Sequence, residues 1–255
     1  MVHYMSYFGI SAQNEEQKLA FQYLTNNKPF TFISGQSGCG KSLISQAVGL
    51  EQVIEQRDYR KLIYTRLQVE IGMAQGFLPG DSQDKIFPFV APFMDNLEVM
   101  DKKSNIKDYI LMEGQDESRK KVFFDSIQSI RGRSLNDVYF IIDEAQNLDI
   151  NTISAIATRA GNNSKFIFLG NFAQCDDKTL RKPESNGLYQ LLDGLYKKDK
   201  DKKFFDHLNL TEVQRHPVVE VVESILRNHE MDERFEELEN RGTITEYNKQ
   251  YGVTN

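Results

Sequence analysis

The sequence Gly35-Gln36-Ser37-Gly38-Cys39-Gly40-Lys41-Ser42 fits the pattern G-x-x-x-x-G-K-[ST] of a phosphate-binding loop at every fixed position. Glycines let a backbone turn tightly around a polyphosphate and point successive N–H groups toward it. A helix that follows such a loop adds the positive end of its dipole to the same site. The stretch therefore predicts a nucleotide-binding protein in which residues 35–42 surround the phosphates.

The segments on either side of this loop support that prediction. The segment 30–33 has the composition of a short buried strand, and apolar residues recur at helical spacing over 43–50. In such a strand–loop–helix unit, Lys41 is expected to contact the β- and γ-phosphates of ATP and the Ser42 hydroxyl to bind Mg²⁺. Cys39 has two interpretations. The helix end could lower the pKa of its thiol, or it is a small residue that fills space, which we favour.

A second signature lies at the end of a later strand. Residues 138–142 form an apolar run, typical of a parallel strand buried on both faces, and Asp143-Glu144-Ala145-Gln146 follows it. The carboxyl ends of such strands face the ligand crevice. Asp143 is therefore expected to hold Mg²⁺ through water, and Glu144 to polarise the attacking water as a general base.

Three further residues are candidates by position. Gln17 precedes the loop and presents a donor and an acceptor suited to an adenine edge, although the segment also reads as a surface helix. Gln174 follows a predicted strand over 166–169, where it is placed to sense the γ-phosphate or to form a simple turn. Arg215 precedes a predicted helix over 218–226. It could stabilise transition-state charge or pair with a surface carboxylate.

The remaining pattern predicts alternating helices and strands. Strands are predicted over 61–65, 122–124 and 204–210, and helices over 14–24 (capped by Ser11 or Asn14), 149–161 (capped by Asp149) and 187–196. Pro88 and Pro92 are expected to break the helical stretch 84–100. A polar, helix-rich insertion follows, and residues after about 230 read as a peripheral helix and a loose tail.

Composition limits the class of protein. The chain has 255 residues, 40% of them hydrophobic, and a net charge of −6, so no global basic field indicates nucleic-acid binding. A local basic groove could still form, with contributions from Arg131, Arg133, Arg119, Lys120 and Lys121. The candidate nucleic-acid contacts are Arg66, Arg131 and Arg133. No segment resembles a secretory signal or a membrane span, and two cysteines without framework spacing suit a reducing cytoplasm.

Together these segments resemble the PhoH family of phosphate-starvation-inducible ATPases from about residue 14 to residue 229. The resemblance is carried by Arg66, Gly76-Phe77-Leu78-Pro79-Gly80-Asp81, Arg131-Gly132-Arg133-Ser134-Leu135-Asn136-Asp137, Asp143-Glu144-Ala145-Gln146-Asn147 and Arg215-His216-Pro217. One departure is Gly170-Asn171, where the family usually has Gly-Asp. The short form is similar to versions carried by bacteriophages, which would place it in the host cytoplasm.

The resemblance implies an α/β fold: a single P-loop NTPase domain, RecA-like and similar to superfamily 1 helicases, with a mostly parallel sheet flanked by helices. This domain would span residues 1–229, with a helical insertion around 82–121, and residues 230–255 would be peripheral. The resemblance also implies ATP and Mg²⁺ as cofactors and strengthens the roles given to Gln17, Gln174 and Arg215. Because the second motor domain of a superfamily 1 enzyme is not expected here, it implies a homo-oligomer such as a hexameric ring.

The function indicated is an Mg²⁺-dependent ATPase coupled to single-stranded nucleic acid, RNA more than DNA. The main alternative is a low-turnover switch whose ATP state controls assembly with a protein partner. A small-molecule kinase is a weaker alternative, since the Asp143-Glu144-Ala145-Gln146 signature argues against it.

Overall fold

The computed structural model describes residues 6–66, 82–100, 120–124, 134–214 and 232–252, with isolated positions at 132, 218, 221, 222 and 225; for residues 82–90 only the backbone is described. The strands are β1 (Ser6–Tyr7), β2 (Ile10–Ser11), β3 (Phe30–Gly35), β4 (Lys61–Arg66), β5 (Val122–Phe124), β6 (Val138–Asp143), β7 (Ser164–Gly170) and β8 (Phe205–Leu210). The helices are α1 (Glu15–Thr25), α2 (Lys41–Leu50), α3 (Ser82–Val99), α4 (Ile150–Ala157), α5 (Gly187–Lys198), α6 (Glu233–Asn240) and α7 (Ile244–Tyr251).

The centre of the fold is a six-stranded sheet in the order β5-β4-β6-β7-β3-β8, and every neighbouring pair is parallel. β1 and β2 form a separate antiparallel pair. All carboxyl ends of the six strands therefore lie along one edge of the sheet. This arrangement confirms the predicted α/β class with a parallel sheet flanked by helices.

Both faces of the sheet are covered, which explains the continuous apolar runs of its strands. Along β6, Tyr139 and Ile141 pack with residues of α1, α2 and α3, whereas Phe140 and Ile142 pack on the other face with residues of α4, α5 and α6. Every residue of β6 and of β7 is buried. The site-bearing strand ends are thus held between two separate hydrophobic cores.

The structure corrects the prediction for residues 84–100, because α3 is one helix despite its two prolines. A proline inside a helix removes one backbone hydrogen bond and strains the turn before it. Here Phe93, Leu97 and Met100 are buried on the core, and Asn96 donates to Gln46 of α2 over 3.1 Å. We attribute the continuity to this packing. Of the helical insertion predicted around 82–121, residues 101–119 lie outside the described residues.

Of two predicted helix ends, the start of α1 is confirmed and the end of α4 differs. Asn14, and not Ser11, caps α1, since its side chain accepts from the Gln17 N–H. α4 ends at Ala157 instead of Gly161. Gly161 serves a different purpose, because a Cβ there would lie 2.1 Å from Oδ1 of Asn136.

Residues 232–252 form two short helices, where one peripheral helix and a loose tail were predicted. Phe235 and Leu238 of α6 are buried in the core, and the Gly242 carbonyl accepts from the Asn209 N–H of β8. None of the described helices combines the length and the apolar character that crossing a membrane requires.

Candidate functional site

The backbone of residues 35–42 forms a tight loop between β3 and α2. Gly35 has φ +135°, and a Cβ there would lie 2.2 Å from the Leu210 carbonyl oxygen of β8, so only glycine fits. Gly40 is left-handed and precedes α2 without a side-chain cap. The first N–H groups of α2 thus remain available to an anion, as the loop pattern predicts.

Lys41 and Cys39 lie inside this loop. The Lys41 ammonium folds back onto the backbone and donates to the carbonyls of Gly35 (2.6 Å) and Gln36 (2.8 Å). The Cys39 thiol donates to the Gln36 carbonyl, and burial raises its pKa although Lys41 opposes this. The geometry therefore favours the space-filling interpretation of Cys39, and the contact of Lys41 with the phosphates stays a prediction.

Ser42 meets Asp143 across the edge of the sheet. The Ser42 hydroxyl donates to Oδ2 of Asp143 over 3.2 Å, and the Tyr64 hydroxyl donates to the same oxygen over 2.7 Å. A hydroxyl and a carboxylate oxygen beside a phosphate loop suit Mg²⁺, which binds through one or two side chains together with substrate phosphates. In the part of the chain that the structure describes, no three His, Cys, Asp or Glu side chains are grouped as a metal site.

Glu144 is held in an unusual conformation next to Asp143. Its φ of 56° and ψ of 37° lie in the left-handed region, which costs a residue with a side chain about 1 kcal/mol or more. Oε1 of Glu144 lies 2.9 Å from Nη2 of Arg66, and Oε2 accepts from Nε2 of Gln146 over 2.7 Å. Both carboxylate oxygens are therefore engaged.

Arg66, predicted to contact nucleic acid, ends β4 beside these carboxylates. Its Nη1 is 3.9 Å from Oδ2 of Asp143, and its side chain is only 24% exposed. Burial lowers the pKa of Arg66, but Asp143 and Glu144 raise it more, so the guanidinium stays charged. Contact with nucleic acid stays a prediction, and Arg131 and Arg133 lie outside the described residues.

Gln146 joins the ends of β6 and β7. Besides Glu144, its amide donates to the Gln174 carbonyl (3.3 Å) and accepts from the Asn171 N–H (3.1 Å). Gln174 is exposed, in a one-turn helix after β7, the strand between β6 and β3. Asn171 caps that turn, because its amide oxygen accepts from the Ala173 N–H. This cap does not need the negative charge of the aspartate that the family usually has here.

Gln17 lies where α1 touches the phosphate loop. Its amide nitrogen donates to the Cys39 carbonyl over 3.3 Å, and its amide oxygen accepts from the Gln13 N–H over 2.9 Å. An amide has two donor hydrogens and two acceptor lone pairs, so one of each remains for a base. The predicted adenine contact is compatible with this position and stays a prediction.

The segment after β8 is tied to the same loop. The buried carboxylate of Glu16 accepts from the backbone N–H and the hydroxyl of Thr211 and from the Glu212 N–H. The Gln214 N–H then donates to the Gly38 carbonyl over 3.0 Å. This brings the chain to the loop one residue before Arg215, which itself lies outside the described residues.

Sequence reasoning missed Tyr64, Gln146 and Glu16 as parts of the site. Tyr64 is in an apolar strand, and Glu16 is in the first turn of a helix, where acidic residues are common. Gln146 belongs to the Asp143-Glu144-Ala145-Gln146 signature, but the pattern alone gives it no role. Its position two residues after Glu144, at a strand end, is the one available signal.

The chain is similar in sequence to a known protein family. The family profile described as PhoH-like protein matches residues 9–227. Protein PhoH2 of Thermobispora bispora is 30% identical over 223 residues, and Protein PhoH2 of Bacillus subtilis is 35% identical over 172 residues. These alignments cover 87% and 66% of this chain but 48% and 38% of the relatives. The chain thus spans about half of their length or less.

Among solved structures, the large terminase of a thermophilic bacteriophage aligns with a TM-score of 0.52 at 14% identity. The alignment covers 84% of this chain and 50% of the terminase chain, and at this identity it shows a shared fold. The sheet with its loop is that of a P-loop NTPase. Because the family profile matches most of its residues, the chain belongs to the PhoH family.

Proposed function

We propose that the protein is an Mg²⁺-dependent ATPase that is coupled to single-stranded nucleic acid, RNA more than DNA. The observation that carries this proposal is the meeting of Ser42 and Asp143 at 3.2 Å, with Lys41 and Glu144 beside them. A phosphate loop, a metal-binding pair and a carboxylate that can act as a base are the parts that phosphoryl transfer to water needs.

The chain's own residues divide this chemistry. The loop N–H groups and the Lys41 ammonium would bind the phosphates, and Ser42 and Asp143 would hold Mg²⁺. When bound, Mg²⁺ neutralises phosphate charge. Glu144 would orient a water and accept its proton, and Gln174 and Arg215 would respond to the γ-phosphate.

The proposal also includes coupling to nucleic acid and assembly into a ring, and the contacts of the described residues do not carry these two parts. Support comes from the family resemblance to the first motor domain of superfamily 1 helicases, in which a second domain completes the ATP site. We propose that a neighbouring copy of this chain supplies that face. Both cysteines are free and buried, which is compatible with a reducing cytoplasm.

The test is ATP hydrolysis by the purified protein with Mg²⁺, alone and with single-stranded RNA or DNA of equal length. Glu144→Gln should lower the rate at least about a hundredfold while ATP binding persists. Glu237→Gln, an exposed glutamate on α6, is the matched control and should behave as wild type. Turnover unaffected by Glu144→Gln would overturn the proposal.

A second candidate is the low-turnover switch, and one observation favours it. Both oxygens of the Glu144 carboxylate are engaged by Arg66 and Gln146, so the base is restrained in this arrangement. Tight ATP binding, negligible turnover with every nucleic acid, and a change of oligomeric state measured by light scattering on adding ATP would establish the switch instead.

A further inference from the structure

The ion pair between Arg66 and Glu144 joins two strands at the edge where the nucleotide site lies. β4 pairs with β6 in a register that sets Arg66 directly opposite Asp143, so the Arg66 side chain reaches both carboxylates. Its contact with Glu144, at 2.9 Å, is much closer than its 3.9 Å contact with Asp143. The guanidinium is thus directed mainly at the proposed base and less at the proposed metal ligand.

This contact restrains Glu144 in a form that is poorly suited to activating water. A general base must turn a carboxylate lone pair toward the water. Here Arg66 holds Oε1 and Gln146 holds Oε2, so the orientation of the carboxylate is fixed although each oxygen keeps a second lone pair. The side chains of Arg66 and Glu144 are 24% and 30% exposed, so the charge-assisted bond is stronger than a pair on the open surface. Loss of the Arg66 contact would free one oxygen.

The backbone of Glu144 adds a second reason to expect two arrangements. A left-handed conformation persists at a residue with a side chain only while its surroundings hold it there. The carboxylate of Glu144 is held by Arg66 and Gln146. Its backbone is held by two bonds of 3.0 Å, one from the Glu144 N–H to Oδ1 of Asp143 and one from the Asn147 N–H to the Glu144 carbonyl. When the Arg66 contact breaks, Glu144 can rotate and present its carboxylate differently.

The chemistry of Arg66 indicates what would break the contact. A guanidinium binds phosphate oxygens as well as carboxylates through its planar fork. The Nε–H of Arg66 is buried and has no acceptor among the described residues, so within that part of the chain this donor is unused. A phosphate group offers several acceptor oxygens and could engage the whole fork, in exchange for the single bond to Glu144.

We propose that Arg66 is a positioning residue that restrains Glu144, and that a phosphate of single-stranded nucleic acid releases the restraint by engaging the Arg66 guanidinium. This inference rests on the proposed ATPase function and deepens it, because it gives a physical route from nucleic-acid binding to hydrolysis. Unstimulated turnover would be low because Glu144 is held, not because ATP binds weakly.

The test compares the full chain with Arg66→Gln, Arg66→Lys and Arg60→Gln. Arg60 is exposed just before the opposite end of the same strand, roughly 20 Å away along β4, and is the matched control. We expect Arg66→Gln to raise the unstimulated kcat about three- to tenfold, with an unchanged KM for ATP and a smaller fold stimulation by single-stranded RNA. Arg66→Lys should lie between Arg66→Gln and wild type, because it keeps the charge but loses the fork.

Two measurements separate this inference from its alternatives. The double variant Arg66→Gln/Glu144→Gln must lose the added turnover, which shows that the gain passes through Glu144. A fall in kcat for Arg66→Gln with unchanged ATP binding would overturn the inference, since Arg66 would then support the active base. Absence of Glu144-dependent turnover in wild type, Arg60→Gln and Arg66→Gln alike would instead overturn the proposed ATPase itself.

Discussion

The Ser42 hydroxyl lies 3.2 Å from Oδ2 of Asp143, although 101 positions separate the two residues in the chain. Ser42 lies in the first turn of the helix after the phosphate loop, and Asp143 ends a strand two places away from β3 in the sheet. The same carboxylate oxygen accepts from Tyr64, which fixes its orientation toward Ser42. The packing of the sheet and of α2 thus arranges the pair.

Removal of the Ser42 hydroxyl tests whether this pair binds Mg²⁺. We expect Ser42→Ala to need about tenfold more Mg²⁺ for half-maximal ATP hydrolysis, because one oxygen ligand is lost. The measurement is ATPase rate against Mg²⁺ concentration at fixed ATP. Ser45→Ala, three residues along the same helix, is the control, since its buried hydroxyl has no partner among the described residues. Equal Mg²⁺ midpoints for both variants would contradict the assignment.

Gln17 provides a prediction about base selection. If the unused donor and acceptor of its amide bind adenine, Gln17→Ala should reduce the preference for ATP over GTP about tenfold. The readout is the ratio of kcat/KM values for the two nucleotides. Gln22→Ala alters an exposed glutamine on the same helix and should keep the wild-type ratio. A proportional loss for both nucleotides would show that Gln17 only supports the loop through Cys39.

The parts of the site that the sequence predicted are those whose position follows from strand order alone. The loop after β3 and the carboxylates after β6 were expected at the same edge of the sheet, because the carboxyl ends of parallel strands all lie at that edge. Lys41, Ser42, Asp143 and Glu144 needed no knowledge of side-chain contacts. The register of β4 against β6 was not available from any pattern, so the contact of Arg66 with Glu144 could not be predicted.

Contacts between segments that are distant in the sequence could not be predicted either. Asn14 and Asp149 could be predicted as caps because capping is local. The bonds of Glu16 to Thr211 span 195 positions and depend on how α1 crosses the end of β8. The predicted break in α3 was wrong for a related reason, because tertiary packing outweighed the local effect of proline.

His207 predicts how stability responds to acid. Its ring is buried between the hydroxyls of Ser34 (3.1 Å) and Tyr196 (3.0 Å), and burial lowers its pKa from 6.5 to about 3. In the unfolded chain, His207 therefore binds a proton below pH 6.5. In the folded chain it stays neutral until the pH falls to about 3. Stability contributed by this residue is present above pH 6.5 and is lost as pH falls toward 3.

The measurement is urea unfolding of wild type and His207→Gln at several pH values. Between pH 7 and pH 5, wild type should lose about 2 kcal/mol more of its unfolding free energy than the variant does. Between pH 8 and pH 7 the two proteins should change in parallel, which is the internal control. Parallel behaviour over the whole acid range would mean that folded His207 accepts a proton readily.

Lys165 predicts a different response above neutral pH. Its ammonium is buried and donates to the Asn26 carbonyl, the Asn26 side-chain oxygen and the Lys28 carbonyl, each over 3.0 Å. Burial lowers its pKa from 10.5 to about 7, although Asp206 opposes this. Because the unfolded chain keeps the proton between those values, stability should rise with pH across this window by up to about 1.4 kcal/mol per pH unit.

Lys165→Met should lack this rise, whatever its absolute stability. Urea unfolding at pH 7.0, 8.0 and 9.0 would measure the slope for both proteins, and Lys198→Met, at the end of α5, would serve as a control with the wild-type slope. A steady difference between wild type and Lys165→Met over this range would show that the folded lysine keeps its proton.

The Glu16 carboxylate links the start of α1 to the segment that reaches the phosphate loop. It accepts three hydrogen bonds, two from Thr211 and one from Glu212. Glu16→Gln places an amide donor against these donors, so we expect a loss of about 1–3 kcal/mol in unfolding free energy. We also expect a higher KM for ATP, because the hydrogen bond from Gln214 would hold Gly38 of the phosphate loop less firmly. Glu15→Gln, at an exposed neighbour that pairs with Lys18, should leave both values unchanged. A destabilised Glu16→Gln protein with a wild-type KM would show that the link serves stability alone, and that the loop keeps its shape without the segment after β8.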